Sequence, residues 1–558
     1  MKTSCKLAMI LLAVLLLAVP VLAACGDDDE TSEPSPEQTV SPTTELTVEP
    51  TETSEPSLTN LPTAELTPGT EGWPAGMTFY RNPDFPEGYQ NPIAHLPVPQ
   101  HPFLAPNEKS NMHNDAYMTD TYETSGPLGL SPKVTLNSYA PATNLCVMQA
   151  FDSKGRILTV NARPDAFYLL IIDPDTLEEI ASFPLPPRHS DDPLYPYNDT
   201  SGGAYFILDN EDRVMLADAD NCIEIIKYND DLGELQLVQK YDLNDYVVPF
   251  ELPARDHVQM TLPDWEGRLW FMTRYGKVGT INQETGEIRT IELTGEEMQN
   301  SFTMGEDGAY FITDYAMYRF QADEDGVPMV IWRTEYDRGS RVKPSMMNQG
   351  SGTTPQLFGD MVAIGDNADP KMNIIFLRRS DGSEVCRIPV FDDDISTTEN
   401  ALPGFVREGR EGLEYSVIVE NNYGKLSENL LRPGGCCVDS VGGLSRIDLI
   451  PDGGDGYTCN EIWVSPENSC SPVPKLCLGN GLLYLYTYEK LPDNPPPNDF
   501  GYYLTAVDFE TGQTVFRIPT GTGTRYIDFG ASITIVPGGG KIHIGSMGGL
   551  VTIQDTVQ

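Results

Sequence analysis

One short strand pattern is written eight times along this chain, and it limits the possible folds more than any other feature. Each copy alternates apolar and variable positions and closes on a small polar residue: Ile157 to Asn161, Val214 to Asp218, Leu269 to Thr273, Tyr310 to Asp314, Val362 to Asp366, Val417 to Asn421, Leu483 to Thr487 and Ile542 to Ser546. The closing residues are 57, 55, 41, 52, 55, 66 and 59 positions apart. A drifting period of that size is the mark of a radial or solenoid architecture and not of a compact enzyme core.

The flanks of each copy supply the rest of a unit. An apolar segment and a Gly-bearing turn precede the strand, as in Val147 to Arg156 and Val258 to Arg268, which is a hairpin signal. After the strand come a loop, a second alternating segment, a turn and a further strand, clearest at Tyr168 to Asp173, Gly279 to Asn282 and Leu504 to Asp508. Four antiparallel strands in about 55 residues, repeated, predict an all-β chain folded as a β-propeller. The pattern gives eight blades, or seven if the 41-residue interval before Asp314 marks a degenerate unit. The last copy has only three strands before the chain stops, so Val134 to Ser138 near the start is expected to supply the fourth and close the ring, which removes the open edges. The predicted division is a signal peptide over 1–24, a tether over 25–72, an irregular Pro-rich wrap over 73–130 and the propeller over 131–558.

The N-terminus reads as a processing signal. Lys2 and Lys6 precede an apolar run from Leu7 to Val19, followed by Leu22-Ala23-Ala24-Cys25. That ending resembles the bacterial lipobox, which implies cleavage before Cys25 and a lipid on its thiol. Twelve acidic residues and no Lys or Arg then lie among Thr, Ser and Pro up to Gly72. Such composition cannot bury enough apolar surface to order itself, so a disordered acidic tether is expected. Cell-membrane attachment at the extracytoplasmic face, by acyl chains alone, follows from this reading. The net charge of −46 repels phosphate backbones and excludes nucleic acid as a partner; cations or basic protein surfaces suit it better.

Once Cys5 and Cys25 are set aside, eight cysteines remain, an even number in an exported chain, which predicts disulfides. Cys436, Cys437, Cys459, Cys470 and Cys477 are the candidates, with at least one bridge expected between 436 and 470. Cys436 and Cys437 pair either with each other or with separate partners among Cys459, Cys470 and Cys477. No spacing matches a zinc site.

The turns Asp508-Phe509-Glu510-Thr511-Gly512-Gln513 and Asn282-Gln283-Glu284-Thr285-Gly286-Glu287 resemble the D-x-x-T-G-x turn of the quinoprotein (PQQ-type) propeller repeat, and Asp173 to Thr176 keeps half of it. That resemblance implies the eight-blade architecture over most of 131–558, and in the quinoprotein alcohol dehydrogenases a vicinal disulfide like Cys436-Cys437 lies against the cofactor. The family's docking Trp is replaced by Ala181, Thr290 and Phe516 at the matching positions, which argues against PQQ here. The architecture is carried over, and no catalytic residue.

The eight closing residues should ring the face where the loops after the second strands emerge. Polar residues there either begin turns or hold a ligand. The densest oxygen donors are Asp366-Asn367 and Glu420-Asn421-Asn422, the candidate ligand or cation face; sugar-lactonase-type propellers are similar in placing Glu, Asn and Asp at the axis, which makes Ca²⁺ the cation to test. Asp452 to Gly456 lacks the later Glu of a calcium loop and reads as a hairpin turn. The histidines His95, His101, His113, His189, His257 and His543 have no nucleophile motif beside them. The leading expectation is a binding or interaction module for an envelope protein or a small solute, and the rival is an enzyme at the channel mouth, dehydrogenase or lactonase.

Overall fold

The computed structural model describes residues 64–66, 73–74, 76–164, 166–189, 201–247, 255–424, 440–454, 456–469, 472–495 and 498–557. The expected signal peptide, Cys25, Cys436, Cys437 and Cys470 lie outside them, as does almost all of the tether. Residues Asn60–Gln558 form one compact unit.

Among the described residues the chain is all-β, with one short 3-10 turn at Thr524–Tyr526 and no helix long and apolar enough to cross a membrane. Five of its sheets have four antiparallel strands each, and a six-stranded and a nine-stranded sheet contain further units of the same kind, the construction of propeller blades. Successive units cover Asn144–Leu185, Ile207–Asp242, Val258–Glu292, Thr303–Glu335, Gln356–Pro389, Gly404–Ser465 and Lys475–Thr522. A further unit joins Ile533–Ile535, Lys541–Ser546 and Gly548–Asp555 to Pro132–Asn137, with Ile553 opposite Val134. Every copy of the repeated strand is the second strand of its unit, for example Leu269–Thr273 and Met361–Gly365. The short interval before Asp314 contains a complete unit, because the third and fourth strands of the unit before it are five residues each.

Burial grades across each unit. Second strands are buried on both faces, as in Leu269–Thr273, whereas fourth strands such as Glu179–Leu185 reach solvent. The apolar clusters bridge neighbours: one runs from Ile207 through Trp270 to Phe320 across three units, and another from Tyr484 to Ile553 across two. The sheets therefore pack face against face, and each buried face stabilises its neighbour at about 25 cal/mol per Å² of apolar surface removed from water.

The first strands converge on a hub. Carbonyls of Lys109, Ser110, Ala116, Tyr117, Thr119 and Asp120 accept hydrogen bonds from the amides of Phe151, Leu208, Met304, Leu357, Gly404 and Leu476, one from each of six units. Six sheets can meet so short a stretch only if their first strands point at a common axis. Residues 110–120 are all buried although irregular, and their polar groups turn on each other: Asn111 Oδ1 accepts from His113 N at 2.7 Å, and Ser110 Oγ donates to the Asn114 carbonyl at 3.1 Å. This stretch belongs to the segment expected as an irregular wrap over 73–130.

The quinoprotein-like turns join third to fourth strands. Asp508 Oδ1 accepts from Thr511 N and Thr511 Oγ1, and Gly512 N closes onto the Asp508 carbonyl at 2.9 Å. Asn282 does the same work for Thr285 and Gly286. Gly512 has φ +71°, where a side chain is strained, and an added Cβ would sit 2.6 Å from the Trp463 ring. Docking tryptophans are therefore present, but they come from the preceding unit. Trp463, on the fourth strand Tyr457–Ser465, covers Gly512 and donates to the Phe509 carbonyl at 2.8 Å; Trp332 covers Gly382 and donates to the Arg379 carbonyl at 2.9 Å.

Candidate functional site

The eight closing residues are largely occupied with turn chemistry. Asp218 accepts from Asp220 N and Cys222 N, Asn161 from Arg163 Nε, and Thr487 pairs with the Thr505 hydroxyl at 2.6 Å. Asp366 accepts from Ala368 N, from Asn373 N and Nδ2, and from Arg387 Nη1 at 3.1 Å. Burial pushes its carboxyl up to about 6 against those donors. Asn367 Nδ2 donates to the Arg338 and Arg341 carbonyls, bracing the loop after the fourth unit.

Glu420, Asn421 and Asn422 brace a second loop. Asn422 Oδ1 accepts from Glu399 N at 2.8 Å and from Thr398 Oγ1 at 3.0 Å, Asn421 Oδ1 accepts from Thr397 N, and Glu420 holds the Asn400 amide. The structure thus brings the sequence candidates to one end of the strands, but as supports of loops 337–341 and 395–400. The group they present is Glu399, which the sequence reading did not single out.

Glu399 Oε1 accepts from Met347 N at 2.7 Å and from Gln299 Nε2 at 3.3 Å, and Oε2 from Asn300 Nδ2 at 3.1 Å. The Asn300 Oδ1 accepts in turn from the Tyr205 hydroxyl at 3.2 Å. Glu399 and Tyr205 are half-buried. Burial pushes the Glu399 carboxyl up to about 7, opposed by the Met347 amide, Asn300, the Arg274 charge and Gln299. Arg274 is buried and lies 3.5 Å from Glu297 through Nη2, while its Nε and Nη1 have no partner among the described residues. Oε1 of Gln299, Oδ1 of Asn348 and Nδ2 of Asn422 are likewise buried without partners among the described residues.

Beneath this cluster, in the hub, His113 Nδ1 lies 2.9 Å from Asp120 Oδ2 and His113 Nε2 lies 3.3 Å from Ser301 Oγ. Ser301 meets the Thr354 hydroxyl at 2.6 Å, and Lys475 pairs with Asp120 and the Met112 carbonyl. Burial alone would raise the Asp120 carboxyl, but His113 and Lys475 outweigh it and hold it low. All four ionic or nucleophilic side chains are nearly inaccessible, so this array is a polar core for the hub. No local motif flagged it, because Ser301 and His113 are 188 residues apart.

Cys459 requires a correction. Its bridge runs to Cys386, 73 residues upstream, and not within 436–470. The fourth strands Glu384–Pro389 and Tyr457–Ser465 belong to adjacent units, which brings the two Cα atoms to 6.1 Å. Cys477 is also corrected: it is a free, buried thiol on the first strand of its unit, pushed well above its ordinary range by burial. Asp452 forms the expected hairpin turn, accepting from Gly454 N at 2.8 Å. Among the described residues no cluster of three or more His, Cys, Asp or Glu side chains is placed to hold a metal.

No protein-family model matches the sequence, and no curated protein does. Solved propeller structures are similar at a distance. A europium-containing methanol dehydrogenase aligns with 78% of this chain and 90% of its own at 11% identity and TM-score 0.44. The C-terminal WD40 domain of Sif2 aligns with 75% and 97% at 8% identity and TM-score 0.41, and BamB from Moraxella catarrhalis with 62% and 92% at 14% identity and TM-score 0.31.

Proposed function

We propose that the units are the eight blades of one closed ring, and that the chain is a lipid-anchored, extracytoplasmic binding module that takes a small neutral polyol or sugar beside Glu399. Pairing of Pro132–Asn137 with Gly548–Asp555 and the convergence of first strands on residues 109–122 support the ring. The Leu22-Ala23-Ala24-Cys25 ending and the acidic Thr/Ser/Pro segment support the anchor and tether.

The observation that carries the ligand class is the charge balance around Glu399. Arg274 is matched by Glu297 at 3.5 Å, and the Glu399 carboxyl, raised by burial to about 7, is partly protonated at neutral pH, so little net charge remains while hydrogen-bonding capacity is unmet. Among the described residues, unmet acceptors on Gln299 and Asn348 stand in loops that donate to Glu399 or flank it, and unmet donors on Arg274 stand in the turn after Leu269–Thr273. Each costs about 1–3 kcal/mol when left unpaired, and hydroxyl groups, which donate and accept, recover it. The Glu420 to Asn422 contacts hold the loop in place for that encounter.

Titration calorimetry of the mature protein against a panel of neutral mono- and disaccharides tests this. Binding by at least one sugar, lost in Glu399→Gln, is expected; a panel that gives no heat with the intact protein refutes it. A carboxyl titrating near neutrality also suits proton transfer, so an acid–base enzyme acting on the same class of ligand is the second reading. Conversion of the sugar during the titration would favour it.

A further inference from the structure

At the opposite end of the strands, where first strands turn into second strands, lies a cavity of about 620 Å³. The Phe358-Gly359 turn of one unit, Phe405 and Val406 of the next and Leu478 of the third form one side, and the N-terminal segment from His95 to Thr124 forms the other. Its walls are apolar, with Leu96, Pro97, Val98 and Pro99 facing Phe358 and Phe405. Its inner end is polar: Asp115, only 3% exposed, accepts from the Thr119 hydroxyl at 2.5 Å, and that hydroxyl meets Thr121 Oγ1 at 2.9 Å.

The lining contains three carboxylates, Glu108, Asp115 and Glu123, with His95, and neither Lys nor Arg. Glu108 is held by Thr124 N and Oγ1, and Glu123 is an exposed rim group 3.6 Å from His95. The nearest strong cations are already matched. Arg379 faces Glu306 and Asp307 behind Tyr117, and Lys475 is spent on Asp120.

We propose that this cavity is a second binding site, for a protonated amine carried on an apolar body. The ammonium sits against Asp115, Thr119 and Thr121, and the hydrocarbon lies between the proline-rich segment and the two phenylalanines. An anion would meet three carboxyl groups and no Lys or Arg there, and a purely apolar ligand would leave the buried Asp115 carboxyl facing hydrocarbon. The net charge of −46 favours the approach of cations from a distance. The site is independent of Glu399, which stands at the other end of the strands.

Titration of the mature protein with hexylamine, hexanol and hexanoate tests the assignment. Hexylamine should bind at millimolar concentration or below, at least about tenfold more tightly than hexanol, with hexanoate weakest. Asp115→Asn should erase the preference for amine over alcohol, and Glu399→Gln should leave it unchanged. The comparison of the three probes on the unaltered protein decides the matter even if Asp115→Asn does not fold. Equal affinity for hexylamine and hexanol, or no binding of hexylamine, overturns the proposal.

Discussion

Trp332 offers the sharpest test of how adjacent units are locked together. It is only 8% exposed, its ring covers Gly382 in the next unit, and its Nε1–H donates to the Arg379 carbonyl at 2.9 Å. Trp332→Ala removes a buried aromatic side chain and opens a cavity between two sheets, a loss of about 3–5 kcal/mol. Trp332→Phe keeps most of the packing and loses one hydrogen bond; the Arg379 carbonyl still accepts from Arg319 Nη1 at 2.9 Å, so the cost should be nearer 1 kcal/mol. Gly382→Ala attacks the same contact from the other side, because its φ of +71° strains any side chain and the new Cβ would lie 2.6 Å from the indole. Urea unfolding of the three single variants and of the Trp332→Ala/Gly382→Ala double variant measures the coupling. Once the indole is gone the Cβ still has the Thr334 hydroxyl at 2.7 Å but has lost its clash with the ring, so the double variant should cost less than the sum by about 1–2 kcal/mol. Strict additivity, or a Trp332→Ala cost below about 1 kcal/mol, would refute the docking argument.

Other consequences are open to measurement. Cys459→Ser cuts a bridge spanning 73 residues between two outer strands and should lower stability by about 4 kcal/mol in non-reducing urea titrations, with no change under strong reductant. The Glu399 carboxyl is raised from its ordinary value to about 7, so the folded chain holds that proton more tightly; its contribution is full below about pH 4.5 and is lost as pH rises toward 7. Glu399→Gln should therefore flatten that part of the stability profile by about 2 kcal/mol, a figure reduced because part of the group reaches water; an unchanged profile contradicts the assignment. Asn422→Ala removes the acceptor for Glu399 N and Thr398 Oγ1 and should cost about 1–3 kcal/mol while weakening sugar binding through the displaced loop.

The repeated strand was legible because a blade's second strand is buried on both faces and ends at a turn, so apolar run and polar stop recur together. Val134 to Ser138 was legible for the same reason, as an alternating strand lacking a partner in sequence. The docking tryptophans do not follow the motif turns they cover, since the contact is made across units: Trp463 precedes Gly512 by nearly a whole unit. The hub stretch 109–122 was illegible as such because irregular chain carries no period. At the site, Asp366 and Glu420 to Asn422 stand out in the sequence as dense oxygen donors; in the structure Asp366, Asn421 and Asn422 accept from backbone amides and Glu420 from the Asn400 side chain. Glu399 did not stand out, because one Glu in a Thr/Asn loop has no signature until Met347, Asn300 and Gln299 arrive from other units. The Cys386–Cys459 bridge was hidden for a related reason: the neighbourhood of two outer strands is a property of the packed ring, whereas cysteine spacing reports only distance along the chain.

Hydrogen exchange of the mature protein with and without a bound sugar tests the central claim most directly. The account predicts slowed exchange at 296–302, 345–352 and 396–400, the loops that carry Gln299, Asn300, Asn348 and Glu399, with no change at 95–124. Protection at 95–124 instead, or protection spread evenly over the units, would contradict it.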